Sequence, residues 1–124
     1  KLDLAYSMSP IWDLELQKSA RELSQVIVPG VFSPSEINIA KMFGYRIIKL
    51  FPVSILGLNY LNQIKHPLSP IPFTIAAGGI IPKDIQKWLE AGYDAVAVGR
   101  GLFKKEKVDP SINNWLEALE NSPQ

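Results

Sequence analysis

Residues 44–54 read GYRIIKLFPVS. A glycine opens the run and a proline closes it. Between them Ile47, Ile48, Leu50 and Phe51 surround a single lysine, Lys49. A short apolar, β-branched run bounded by glycine and proline reads as a strand. Side chains alternate between the two faces of a strand, so Ile47, Lys49 and Phe51 share one face and Ile48 and Leu50 the other. If Ile48 and Leu50 pack against helices, Lys49 points to the opposite face near the end of the strand. Burial there disfavours the ammonium and lowers the lysine pKa, and a neutral amine can add to a carbonyl and form a Schiff base. The same position also suits a lysine paired with a carboxylate. It suits equally one whose stem lies on apolar surface while its head reaches water. Alternation alone leaves these open.

Outward from this strand the chain repeats one pattern. Strand candidates lie at 3–8, 26–28, 46–51, 73–79 and 95–101. Helical periodicity falls at 11–24, 34–43, 57–65, 82–91 and 110–120. Ser33-Pro34-Ser35-Glu36 carries a capping box with proline at the first helical position. Gly44 and Gly92 are helix stops. Residues 67–72, PLSPIP, read as a rigid loop, and 102–107 as a short connection. Strands rich in Val, Ile and Ala, each followed by a helix, indicate parallel βα units. An open doubly wound sheet and a closed barrel compete for this pattern. No G-x-G-x-x-G follows the first strand, which argues against the dinucleotide-binding version. The strand ends carry Ser-Pro, Pro-Gly, Phe-Pro, Gly-Gly and Gly-Arg-Gly, where a barrel builds its site. The expected fold is therefore α/β of the (β/α)₈ type.

Bulk properties exclude several classes. The 124 residues fit one domain, 47% hydrophobic and 20% charged. Thirteen basic and 12 acidic residues give a net charge of +1, with no footprint for nucleic acid. No apolar stretch is long enough for a membrane helix. The absence of cysteine fits a reducing compartment, and a cytoplasmic location is expected. The chain lacks a signal-peptide pattern and does not begin with methionine, as expected of the interior of a longer sequence.

Two glycine clusters suggest an anion site. AAGGI at 76–80 precedes a helix start at Pro82, and VGRGLF at 98–103 adds Arg100. Glycines let backbone N–H groups approach a phosphate closely, and in barrels the last two βα loops often hold one. Tight βα turns need glycine without any ligand, and Arg100 would serve equally in a surface ion pair. His66, the lone histidine, is expected in solvent, so no protein-built metal site is expected. Trp12, Trp88 and Trp115 read as packing residues on helices. Ser9 and Ser54 lack a histidine–acid pair that would make either a nucleophile.

GYRIIKLFPVSILG resembles the Schiff-base lysine motif of the 2-dehydro-3-deoxy-phosphogluconate/4-hydroxy-2-oxoglutarate aldolase family. Gly44 lies five residues before Lys49, Phe51-Pro52 follow it, and Gly57 fits the spaced glycine. SMSP at 7–10, VIVPGVFSPSE at 26–36, AAGGI and VAVGRGLF are similar to the family's other strand-end motifs, from about residue 3 to 103. Val53 replaces the usual Ala or Ser, Ala77 a threonine, and Gly101 a serine.

The resemblance implies a class I aldolase that cleaves a 2-oxo-3-deoxy (phospho)sugar acid, or 4-hydroxy-2-oxoglutarate, to pyruvate and an aldehyde. Lys49 would form the imine. Gly78, Gly79, Gly99 and Gly101 would cradle a phosphate with Arg100, and Pro10 and Phe51 would line the pocket. No metal or organic cofactor is implied, and a homotrimer is. Residues 1–124 would be the C-terminal portion of one barrel, strands four to eight, without the family's first three βα units and the glutamate base they carry. Two alternatives stand beside it: another phosphate-binding barrel, thiamine-phosphate synthase-like or indole-glycerol-phosphate-type, and a degenerate barrel without catalysis.

Overall fold

The computed structural model describes residues 4–105 and 107–120. Strands and helices alternate as the periodicity predicts. Strand β1 (Ser7–Met8) leads to α1 (Leu14–Glu22), β2 (Ile27–Val28) and β3 (Gly30–Val31), then α2 (Pro34–Met42) and β4 (Ile47–Leu50). Two helices follow, α3 (Val53–Leu56) and α4 (Tyr60–Leu68), then β5 (Phe73–Ala77), α5 (Ile85–Glu90) and β6 (Ala95–Ala97). A hairpin, β7 (Phe103–Lys104) and β8 (Lys107–Val108), and α6 (Ser111–Glu120) complete it.

All pairings from β1 to β6 are parallel: β1 with β2, and β3, β4, β5 and β6 in sequence order. The five expected strands are all present. The second is divided because Pro29 has no N–H for the ladder, yet its carbonyl still accepts from the Lys49 amide at 2.9 Å. A Cβ on Gly30 would strike the backbone of Pro10, so glycine lets the Ser9-Pro10 turn lie against β3.

Register fixes the faces. Lys49 pairs with Gly30 on one side and Ile75 on the other, and Ile75 pairs with Ala95. Ile48 and Leu50 point the other way and are fully buried, in one core with Ile37 and Ala40 of α2, Leu61 and Ile64 of α4, and Trp88 of α5. Burying each such side chain is worth about 1.5–3 kcal/mol. This core sets the orientation of Lys49: a slip of one residue would expose Ile48 and Leu50.

Local signals explain the helix ends. The Ser33 hydroxyl accepts from the Glu36 amide, while the Glu36 carboxylate accepts from the Ser33 and Phe32 amides at 2.8 Å each. Burial raises the Glu36 pKa, but these hydrogen bonds outweigh it and hold the carboxyl below its ordinary value. Glu36 is thus a capping group. Gly44 ends α2 with φ +81°.

Two expectations need correction. The helix expected at 57–65 runs from Tyr60 to Leu68, after the separate turn α3. Pro67 lies in its last turn. The connection expected at 102–107 instead contains the antiparallel β7–β8 pair. Its two-residue strands are too short to show alternation.

Candidate active site

Lys49 is 8% exposed. Register places it on the face it shares with Ile47, Phe73, Ile75, Ala77, Ala95 and Ala97. Small residues on β6 leave room in front of it. Among the described residues no carboxylate forms an ion pair with it; its Nζ lies over the Phe51 ring, 5.3 Å from the centroid. Burial holds its pKa below the ordinary lysine value. Of the alternatives the alternation left open, the carboxylate pair is not formed among the described residues.

A cavity of about 550 Å³ opens at the C-terminal ends of β4, β5 and β6. Its walls include Lys49 and Phe51, Gly78 and Gly79 after β5, and Gly99, Arg100 and Gly101 after β6. Seven of the eight expected site residues thus meet in one space. Pro10 does not; it lines an adjoining hollow of about 220 Å³ that shares Phe51 and Pro52 with the cavity. Met8, Pro52, Ala77, Ile80, Ala97 and Val98 also line the cavity, and sequence reasoning did not assign them. Ala97 was accessible to alternation, because it pairs with Ala77 across the ladder. Met8 and Ile80 carry no signal of their own.

The glycines divide by physical cause. Gly78 and Gly79 have φ of +93° and +76°, in the left-handed region. A Cβ on Gly78 would lie 2.8 Å from Pro52 Cα and from the Phe51 ring, and one on Gly79 would strike the Ser54 side chain. A Cβ on Gly101 would strike the Ile80 carbonyl, which locks the β6 loop to the β5 loop. Gly99 differs: its φ is −98°, and a Cβ there would meet nothing within 4 Å.

The amides of Gly78, Gly79, Gly99, Arg100 and Gly101 donate to no group among the described residues. Arg100 is exposed and has no carboxylate partner there either. Free amides and a free guanidinium around a cavity suit an anion. The helix expected behind Gly78-Gly79 is weaker than its sequence suggested: one 3-10 turn, Pro82–Asp84, and then only six residues of α5.

Other groups fall outside the site. His66 is exposed in the last turn of α4. Trp12 packs edge-on against Phe43 and Tyr45, and Trp88 against Tyr93. No cluster of three or more His, Cys, Asp or Glu suited to a metal occurs among the described residues. A hollow of about 310 Å³ at the opposite strand ends, bordered by Arg21, Gln25 and Arg46, contains no buried amine. No described helix is long and apolar enough to cross a membrane.

A parallel sheet with helices on one face and a glycine-lined cavity at its C-terminal strand ends defines a β/α protein of the TIM-barrel type. The sequence pattern of KDPG and KHG aldolase matches residues 4–118, and the chain belongs to that family. A 2-dehydro-3-deoxy-6-phosphogalactonate aldolase of Escherichia coli K12 is 27% identical over 90 residues, covering 73% of this chain and 44% of the relative. A 2-dehydro-3-deoxy-phosphogluconate aldolase of Haemophilus influenzae is 29% identical over 113 residues, covering 90% of this chain and 52% of the relative. The fold is shared with the crystal structure of a Legionella pneumophila KDPG aldolase with pyruvate captured as a covalent carbinolamine. That similarity has a TM-score of 0.69 at 24% identity and covers 92% of this chain and 53% of that one. The chain spans about half the length of the curated relatives it matches.

Proposed function

We propose that the protein is a class I aldolase in which Lys49 forms a Schiff base with a 2-oxo acid. The observation that carries this is the environment of Lys49: buried, without a carboxylate partner among the described residues, and facing a cavity large enough for a six-carbon acid. The captured pyruvate of the Legionella relative supports the same chemistry.

The neutral amine attacks C2 of the substrate, a C–N bond forms, and the carbonyl oxygen leaves as water. The resulting iminium accepts the electron pair of the C3–C4 bond as that bond breaks. The C4 hydroxyl proton passes to a base, and C4 leaves as an aldehyde. The enamine takes a proton at C3, and water releases pyruvate and restores the amine. No carboxylate lines the cavity among the described residues. The base is therefore assigned to βα units preceding this portion of the barrel, with residues 1–124 supplying strands four to eight.

The free amides of the two glycine loops and Arg100 favour a terminal phosphate on the substrate, with Phe51 as a wall of the cavity and Pro10 just beside it. A homotrimer in the cytoplasm, without metal or organic cofactor, completes the proposal. The test is borohydride reduction in the presence of pyruvate, followed by peptide mapping. The adduct is expected on Lys49 and absent from Lys49→Ala. An adduct on Lys41 of α2 or Lys65 of α4 would overturn the assignment.

A further inference from the structure

The inner face of the sheet climbs from Lys49 to the glycine loops. Lys49 pairs with Ile75, and Ile75 with Ala95, so these three lie level on one face. Two residues further on, a rise of about 6.6 Å, Ala77 and Ala97 pair with each other on that same face. Gly79 and Gly99 follow two residues after them. Ala77 and Ala97 line the same cavity as Lys49, Gly79 and Gly99. On β6 the flanking residues Val96 and Val98 pack against the helix-covered core, and Ala97 does not. Ala97 is half-buried, and no described strand pairs with the outer edge of β6. A larger side chain at Ala97 would therefore extend into the cavity rather than into packed core.

We infer that Ala97 is a specificity-determining residue. Its small side chain keeps open the path that C4 to C6 of the substrate take from the imine at Lys49 to the phosphate at Gly79 and Gly99. The inference rests on the Schiff-base and anion readings of the cavity. With C2 bonded to Lys49 and the terminal phosphate on the loop amides, the carbons between them cross the row of Ala77 and Ala97. One methylene group more or less in such a fitted space changes selectivity by about tenfold or more.

The experiment uses the full-length protein and reads each end of the path apart from the whole. Pyruvate trapping by borohydride reports the Lys49 end. Line broadening of inorganic phosphate in phosphorus NMR reports the loop end. Cleavage of a phosphorylated six-carbon 2-oxo-3-deoxy acid reports the path between. Ala97→Val, a β-branched residue suited to a strand, is expected to lower kcat/KM for cleavage at least about tenfold, and Ala97→Leu further. Pyruvate trapping and phosphate broadening in Ala97→Val should stay within about twofold of the unsubstituted protein. Ala97→Ser, which stays small, should keep all three. Unchanged cleavage in Ala97→Val would overturn the inference alone, because the substrate would not cross Ala97. Loss of trapping or of phosphate binding along with cleavage would also overturn it and leave Ala97 a packing residue. If the unsubstituted protein failed to trap pyruvate, the Schiff-base reading would fall. If it failed to bind phosphate, the anion reading would fall, and in either case this inference with it.

Discussion

The Lys49 ammonium lies over the ring of Phe51, two residues on along the same face, with 5.3 Å from Nζ to the ring centroid. Burial pushes the lysine pKa down, while the ring face attracts the charged form and opposes that shift. The balance leaves the amine below its ordinary value and therefore more reactive toward carbonyls near neutral pH.

Imine formation with pyruvate, followed by cyanoborohydride trapping, is expected to rise with pH through an inflection below the ordinary lysine value of about 10.4. Phe51→Leu keeps the apolar wall but removes the ring, and should move that inflection further down. An inflection at the ordinary value, or an upward move in Phe51→Leu, would contradict the geometry.

The same burial has a stability consequence of known sign. The folded state holds fewer protons on Lys49 than the unfolded state does, so stability should increase as pH rises toward the ordinary lysine range. Lys49→Met removes the unpaired amine and keeps the volume. Its melting temperature at pH 7 should equal or exceed that of the unsubstituted protein, and its rise in stability toward the ordinary lysine range should flatten. A fall of about 5 °C would mean that the ammonium makes a stabilising contact.

Gly78 and Gly99 should respond differently to the same substitution. Gly78→Ala forces a Cβ against Pro52 at a φ of +93°, and a cost of about 2 kcal/mol or more is expected. Gly99→Ala meets nothing within 4 Å and has a negative φ, so it should cost less than Gly78→Ala. Its methyl group would project into unfilled space beside the free amides and weaken phosphate inhibition. Thermal melts and inhibition by inorganic phosphate, measured on both variants, separate folding from binding.

At the other end of the chain, Asp109 is 3% exposed, pairs with Lys104 at 2.9 Å and accepts from the Ser111 amide and hydroxyl at 3.0 and 2.8 Å. The Lys104 hydrogen bond, then those of Ser111, pull its pKa down to about 2. A depressed carboxyl stabilises the fold above its unfolded value of about 3.9, and that stability is lost as pH falls toward 2. The Ser111 amide resonance should titrate with a midpoint near pH 2. A midpoint near 4 would mean that the Lys104 and Ser111 contacts do not hold Asp109 in solution.

Much of this was legible in residues 44–54. The alternation put Ile48 and Leu50 on the face opposite Lys49, and these two residues prove fully buried against the helices. Gly78, Gly79, Gly99 and Gly101 signalled a close backbone approach, but sequence could not tell which glycines serve the fold and which the cavity. That division depends on Pro52, Ser54 and Ile80, which approach from other loops across long sequence separations. Pro10 was placed in the pocket by the family resemblance, and it lines the neighbouring hollow. The missing alternation of two-residue strands hid the β7–β8 hairpin.

Because Gly78 and Gly79 are seated against Pro52 and Ser54, and Gly101 against Ile80, three consecutive loops fit together like keyed parts. Transplanting any one of them from a relative with a different sequence would bring side chains into space that its neighbours already fill. Engineering of substrate choice in this scaffold should therefore graft the turns following β4, β5 and β6 as a set, and recombination breakpoints should fall within the helices between them.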